Sequence, residues 1–117
     1  MVRFGIIGTN WITERFIDAA METERFELAA VYSRTEEKGR AFAAKYGNPA
    51  VYSEVSAMAS SSEIDAVYIA SPNSLHMEHA ILCMDQGKHV LCEKPMASNV
   101  AEIRKMIEAA KRNNVIL

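Results

Sequence analysis

The apolar run Val2–Ile7 leads straight into Gly8-Thr9-Asn10-Trp11-Ile12-Thr13. A strand that turns through glycine into a helix gathers free backbone N–H groups at the positive end of the helix dipole, a pairing that binds phosphate. Setting Gly8 at the first of three fingerprint glycines puts Asn10 at the second and Thr13 at the third. Asparagine tolerates a left-handed backbone better than most residues, so the turn is expected to form with Asn10 in that conformation. Its side chain then occupies room that glycine leaves for phosphates, and Thr13 calls for a small adjustment of helix–strand spacing. This motif alone does not choose between a phosphate turn and a tight turn with no ligand.

A second chemistry-bearing cluster, Ser33-Arg34-Thr35, follows the apolar run Leu28–Tyr32. In domains that bind NAD an acidic residue near this place holds the adenosine ribose hydroxyls, and none stands at this strand tip. Arg34 can instead lay a planar guanidinium beside a 2′-phosphate, with Ser33 or Thr35 donating and Lys38 adding a point charge. One of Ser33 and Thr35 is also expected to cap the helix that follows. The pattern favours NADP over NAD. His76 and His79 share a helix face and His89 follows, but no spaced cysteine or carboxylate set joins them, so no metal site is expected. Cys83 and Cys92 form neither a metal pair nor a disulfide framework and read as reduced, buried thiols of a cytoplasmic protein.

The elements that must position these residues alternate along the whole chain. Strand-length runs at Val2–Ile7, Leu28–Tyr32, Ala50–Tyr52, Ala66–Ala70 and Val90–Cys92 are separated by stretches with helical periodicity. Helices are expected over Trp11–Met21, over Thr35–Tyr46 with Gly47 ending it, weakly over Glu54–Ala59, and from Asn73 as N-cap to Gln86. A last helix begins near Asn99, with Glu102 completing a capping box, and carries an apolar stripe of Val100, Ile103, Ile107 and Ala110. Val115–Leu117 reads as the start of a sixth strand. A repeated βαβ pattern of this kind predicts an α/β Rossmann fold: a doubly wound parallel sheet of about six strands, helices on both faces, and ligands at the carboxyl ends of the strands. Ser71-Pro72-Asn73-Ser74-Leu75-His76 and Glu93-Lys94-Pro95 both fall at such ends.

The 117 residues suit one domain, residues 1–117. Half are hydrophobic and 24% are charged, a globular composition. A net charge of −2 offers no basic surface for nucleic acid and no polybasic patch for a membrane. No apolar run approaches the roughly 20 residues a membrane span needs, and the N-terminal run is too short for a signal sequence.

Read together, Gly5-Ile6-Ile7-Gly8-Thr9, Tyr32-Ser33-Arg34-Thr35, Asp65 through His76, and Gly87-Lys88-His89-Val90-Leu91-Cys92-Glu93-Lys94-Pro95 resemble the glucose–fructose oxidoreductase / inositol dehydrogenase (Gfo/Idh/MocA) family. The resemblance covers the whole chain, and its departures are Asn10 and Thr13. It implies an NAD(P)-dependent oxidoreductase acting on a carbinol carbon of a sugar, inositol or related polyol. Carried over, Lys94 lies near the nicotinamide as the catalytic residue, hydrogen-bonding the reacting oxygen. Glu93 orients that neighbourhood and contacts the cofactor, and Pro72, Asn73 and His76 line the cofactor cleft with Ser71. Gly8, Thr9, Asn10, Trp11 and Ile12 cradle the dinucleotide phosphates. The resemblance also implies a C-terminal α/β substrate domain outside these residues, and a parent enzyme that is a homo-oligomer. A stand-alone NAD(P)-binding regulatory module, or a cofactor-free relic that keeps the fold for protein contacts, is the alternative.

Overall fold

β1 (Val2–Ile7) is followed by α1 (Trp11–Met21), β2 (Phe26–Tyr32) and α2 (Glu36–Ala43) in a computed structural model that describes all 117 residues. Then come β3 (Ala50–Tyr52), α3 (Val55–Ala59), β4 (Ala66–Ile69), α4 (His76–Asp85), β5 (His89–Cys92) and α5 (Val100–Asn113). The five strands are all parallel, in the order β3-β2-β1-β4-β5. The order reverses at β1, so β2 and β4 flank the first strand, and a crevice opens beyond their carboxyl ends.

Alternate strand residues feed opposite faces, which is why the strands read as continuous apolar runs. On one face Ile6, Val31 and Tyr68 meet Ile17 of α1 and Phe42 of α2. Aromatic rings fill this side: Phe16 stacks on Tyr68 with centroids 4.0 Å apart and meets Phe4 and Phe26 edge-on. On the other face Ile7, Val67 and Ile69 pack against Met58 of α3, Cys83 and Met84 of α4, and Met106 of α5. Gly39 lets α2 lie close to the sheet, since a Cβ there would fall 2.6 Å from Val51 Cγ1.

Several boundaries differ from the sequence expectation, each for a local reason. The sheet has five strands, not six. Val115–Leu117 makes only one backbone bond to it, Val90 N–H to the Ile116 carbonyl at 2.9 Å, while Ile116 N–H donates to His89 Nδ1. The helix over Thr35–Tyr46 begins at Glu36 and tightens into a 3₁₀ turn over Ala44–Tyr46 before Gly47, whose φ of 83° ends it. Asn73 does not cap α4: it opens a 3₁₀ turn over Asn73–Leu75, and α4 starts only at His76. β2 starts two residues early because Arg25's carbonyl accepts from Val2 N–H and draws Phe26 into register with β1. In α5, Met106 and Ala109 are the buried positions, while Val100 and Ile107 are exposed. Asn99 caps α5 as expected through Glu102 N–H, but the Glu102 carboxylate reaches back to Ser98 N–H.

Candidate functional site

A cleft of about 820 Å³ opens at the carboxyl ends of β1, β2 and β4. Ile7, Gly8, Thr9 and Asn10 form its β1 side. Tyr32, Ser33, Arg34, Thr35 and Lys38 form the β2 side, and Ala70, Ser71, Pro72, Leu75 and His79 the β4 side.

Gly8 has a φ of 111°, and a Cβ on it would fall 2.6 Å from the Ala70 carbonyl oxygen. No other residue fits that approach, so the end of β1 can press against the end of β4 only through glycine. Asn10 departs from the expectation. Its φ is −93° and ψ 179°, an extended backbone, so no left-handed conformation is needed. Asn10 is the N-cap of α1: Oδ1 accepts from Thr13 N–H at 3.1 Å and from the Thr13 hydroxyl at 3.4 Å, while Nδ2 donates to the Ala70 carbonyl at 3.2 Å. Thr13 is fully buried, and its hydroxyl is satisfied by that contact.

Trp11 and Ile12 are the first residues of α1, and their N–H groups have no carbonyl a helical turn before them. Their side chains do not line the cleft. Trp11 is 64% exposed with the Arg15 guanidinium 5.6 Å from its ring, and Ile12 packs among the aromatic residues. Any contribution they make to a ligand is through the backbone.

At the tip of β2, Ser33 is buried, and its N–H donates to the Tyr52 carbonyl. Its Oγ accepts from Thr35 N–H at 3.4 Å, a local turn rather than a helix cap. Thr35 occupies the N-cap of α2 without a side-chain bond, so the expected capping side chain is absent from both. Arg34 and Lys38 are exposed and pair with no carboxylate, whereas Arg40 on the same helix pairs with Glu36.

At the β4 end, Ser71 and Pro72 border the cleft, while Asn73 points to solvent beyond it. His76 lies beneath the surface, 1% exposed, and lines nothing. Its Nδ1 and Nε2 each stand 2.8 Å from a carbonyl oxygen, that of Pro95 and that of Ser71. His79, considered in the sequence only as a metal ligand, does line the cleft. Its Nδ1 lies 3.0 Å from Ser71 Oγ, and its ring meets Tyr32 edge-on. Burial holds the His79 imidazole below its ordinary pKa, favouring the neutral ring. The available signal was its spacing four residues after Leu75, one helical turn along the same face.

Glu93 and Lys94 lie one strand further, at the end of β5. Glu93 N–H donates to the Ile69 carbonyl. Its Oε1 accepts from the Tyr68 hydroxyl at 2.8 Å, and Oε2 from Lys94 N–H at 3.3 Å. Burial, and then this carboxylate, push the Tyr68 hydroxyl far above its ordinary pKa, so it stays a donor. Lys94 is exposed and its ammonium makes no hydrogen bond or ion pair. No group of three His, Cys, Asp or Glu side chains is placed to hold a metal ion, and no helix is long and apolar enough to cross a membrane.

The glycine cradle, the unpaired N–H groups at the α1 terminus and two unanswered cations at the tip of β2 suit a ligand with phosphates at both places. Residues 2–117 match the sequence profile of an oxidoreductase family with an NAD-binding Rossmann fold. The chain is 57% identical over its full length to scyllo-inositol 2-dehydrogenase (NADP(+)) IolU of Bacillus subtilis and 48% identical to the uncharacterized oxidoreductase YgjR of Escherichia coli. It spans 36% of the length of each. A solved structure of KijD10, a 3-ketoreductase from Actinomadura kijaniata in complex with NADP and TDP-benzene, superimposes with a TM-score of 0.90 at 28% identity. That match covers 99% of this chain and 36% of the other. This chain belongs to the Gfo/Idh/MocA oxidoreductase family and has the fold of its NAD-binding Rossmann domain.

Proposed function

We propose that this chain is the cofactor half of a cytoplasmic oxidoreductase that moves a hydride between NADP and a CH–OH group of a sugar, inositol or related polyol. The observation that carries the cofactor choice is the pair Arg34 and Lys38, exposed on the cleft and unpaired, where an acid would serve NAD. The substrate class rests on the similarity to the scyllo-inositol 2-dehydrogenase (NADP(+)) of Bacillus subtilis. When bound, the dinucleotide supplies or accepts the hydride. The protein's own groups do the rest.

Gly8, Thr9 and the N–H groups of Trp11 and Ile12 hold the pyrophosphate at the α1 terminus, and Asn10 fixes the turn's shape. Ser33, Arg34 and Lys38 hold the 2′-phosphate, and Ser71, Pro72 and His79 border the dinucleotide on the β4 side. Lys94, whose ammonium is free, reaches the reacting oxygen and stabilises the negative charge that grows there as hydride moves. Glu93, pinned by Tyr68, keeps the start of the Lys94 turn in place. The chain spans about a third of the relatives it matches, which supports a C-terminal α/β domain that completes the site around a sugar held at near-attack distance, and the family resemblance supports a homo-oligomer.

A stand-alone regulatory module predicts a closed apolar surface beside the last strand. Instead Leu91, Ile107 and Ile116 are 48%, 42% and 72% exposed around β5 and α5, which favours a domain made to pack against more protein. The test is steady-state kinetics on the full-length enzyme with inositols and sugars. Lys94→Ala should lower kcat by about 100-fold or more and leave dinucleotide affinity nearly unchanged. Normal turnover in that variant would remove the lysine from the reaction.

A further inference from the structure

We propose that His76 is a positioning residue: by donating from both ring nitrogens it clasps the loop bordering the cleft to the turn that carries Lys94. The inference deepens the proposed function and rests on the role given there to Lys94. The two contacts join segments far apart in sequence. One is to Ser71, whose own hydroxyl faces His79 in the cleft, and the other is to Pro95, the residue after Lys94. β4 and β5 bring these segments together through the bond from Glu93 N–H to the Ile69 carbonyl, but that bond ends the ladder. Beyond it, the Lys94 turn is held at its start by Lys94 N–H donating to the Glu93 carboxylate and past Lys94 by His76 on the Pro95 carbonyl, with weak support from Cys92 Sγ near the Glu93 and Met96 carbonyls.

Carbonyl oxygens only accept, so both contacts at 2.8 Å require a hydrogen on each nitrogen. A ring with a single hydrogen would set a lone pair against a carbonyl lone pair, in a site too buried for water to intervene. The position of His76 as the first residue of α4 works against a positive ring, because the helix terminus is itself positive. Two charge-assisted bonds outweigh that single dipole contribution. The ring one turn on behaves differently. His79, whose Nδ1 faces the Ser71 hydroxyl instead of a second carbonyl, is held below its ordinary pKa by burial. The clasp fixes where the Lys94 backbone leaves β5, and through it where the ammonium stands relative to the cleft.

Two measurements test this. Nitrogen-15 NMR of the 117-residue chain at neutral pH, with His76 assigned by its disappearance in His76→Gln, should show both ring nitrogens protonated. One bare nitrogen overturns the two-donor clasp. In the full-length enzyme, His76→Gln should lower kcat by about 10-fold to 100-fold while KM for dinucleotide stays within about twofold. Placed in a Lys94→Ala background, the same substitution should cost nothing further, because the group it positions is already gone. A full additional loss in that background, or a loss confined to dinucleotide KM, shows a structural role alone and overturns the positioning. Should His76→Gln fail to fold, His76→Asn carries the same two readouts. Absence of oxidoreductase activity in the unmodified enzyme would defeat the proposed function while leaving the NMR result to stand.

Discussion

Arg34 and Lys38 stand at the cleft with no carboxylate to answer them, and Arg34 is the one whose planar fork suits a phosphate monoester. Arg34→Ala should weaken NADPH binding by about 1–3 kcal/mol, the size of a charge-assisted contact, and leave NADH binding nearly unchanged. Isothermal titration of both cofactors measures the ratio, and a ratio unmoved by the substitution would take Arg34 out of cofactor choice. Added salt should weaken NADPH more than NADH, because the contact is exposed. Asn10 illustrates how a residue type can be right for a turn for a reason other than backbone freedom. Its backbone is extended, and its value lies in one oxygen capping α1 and one amide held by Ala70. Asn10→Ala deletes both and should destabilise the domain by roughly 1–2 kcal/mol, read from urea denaturation. An unchanged midpoint would mean that water replaces both bonds at no cost.

At the scale of elements, the amino ends of β1, β4 and β5 are tied at Asp65. The Arg3 guanidinium donates to both of its carboxylate oxygens, Arg3 N–H donates to Oδ2, and the Asp65 carbonyl accepts from His89 N–H. The Arg3 side-chain and backbone hydrogen bonds lower the Asp65 pKa from 3.8 to about 2. A depressed carboxylate contributes stability that is full above 3.8 and is lost as pH falls towards about 2. The contribution is modest, since both side chains are more than a third exposed and therefore screened. Urea midpoints followed down through that window should fall more steeply for the natural chain than for Asp65→Asn, and parallel curves would show the pair to be inert. The alternation of strands and helices was legible in the sequence because parallel strands buried on both faces are uninterrupted apolar runs. The buried side of α5 was not: Ile103 and Ile107 obey the same periodicity as Met106 and Ala109, and only the position of α4 decides which pair turns inward. The sixth strand failed for a related reason, since one ladder bond from Val90 does not make a strand and β5 remains an edge. His79 was missed because its neighbours in the cleft, Tyr32 and Ser71, come from other elements.

Across the whole molecule, the cleft draws on three strand ends and two helices, while Lys94 sits one strand away at the edge of the sheet. On the function proposed above, dinucleotide binding and hydride chemistry are separable, since the cleft and the lysine lie on different strand ends. The cleft itself was legible in the sequence, because Gly8, Thr9, Asn10, Ser33, Arg34, Ser71 and Pro72 fall at strand ends, Lys38 lies in the first turn of α2, and all meet in one cleft. The roles proposed for Lys94 and Glu93 rest on family resemblance, since a free ammonium at an edge strand carries no local signature of a task. The separation yields a thermal test on the 117-residue chain itself. A ligand that binds only the folded state adds RT ln(1 + [L]/Kd), so NADPH at about 100 times its Kd should add roughly 2.7 kcal/mol. For a domain of this size that raises Tm by on the order of 10 °C. Lys94→Ala should show the same rise, because the proposed phosphate and ribose contacts lie at β1 and β2. Gly8→Ala should abolish it, because its Cβ meets the Ala70 carbonyl and pushes the turn out of the cleft. Calorimetry of the three proteins with and without NADPH decides the matter. A cooperative melt that NADPH does not move in the natural chain would refute dinucleotide binding by this domain, and a rise lost in Lys94→Ala would tie the lysine to cofactor affinity instead of to turnover.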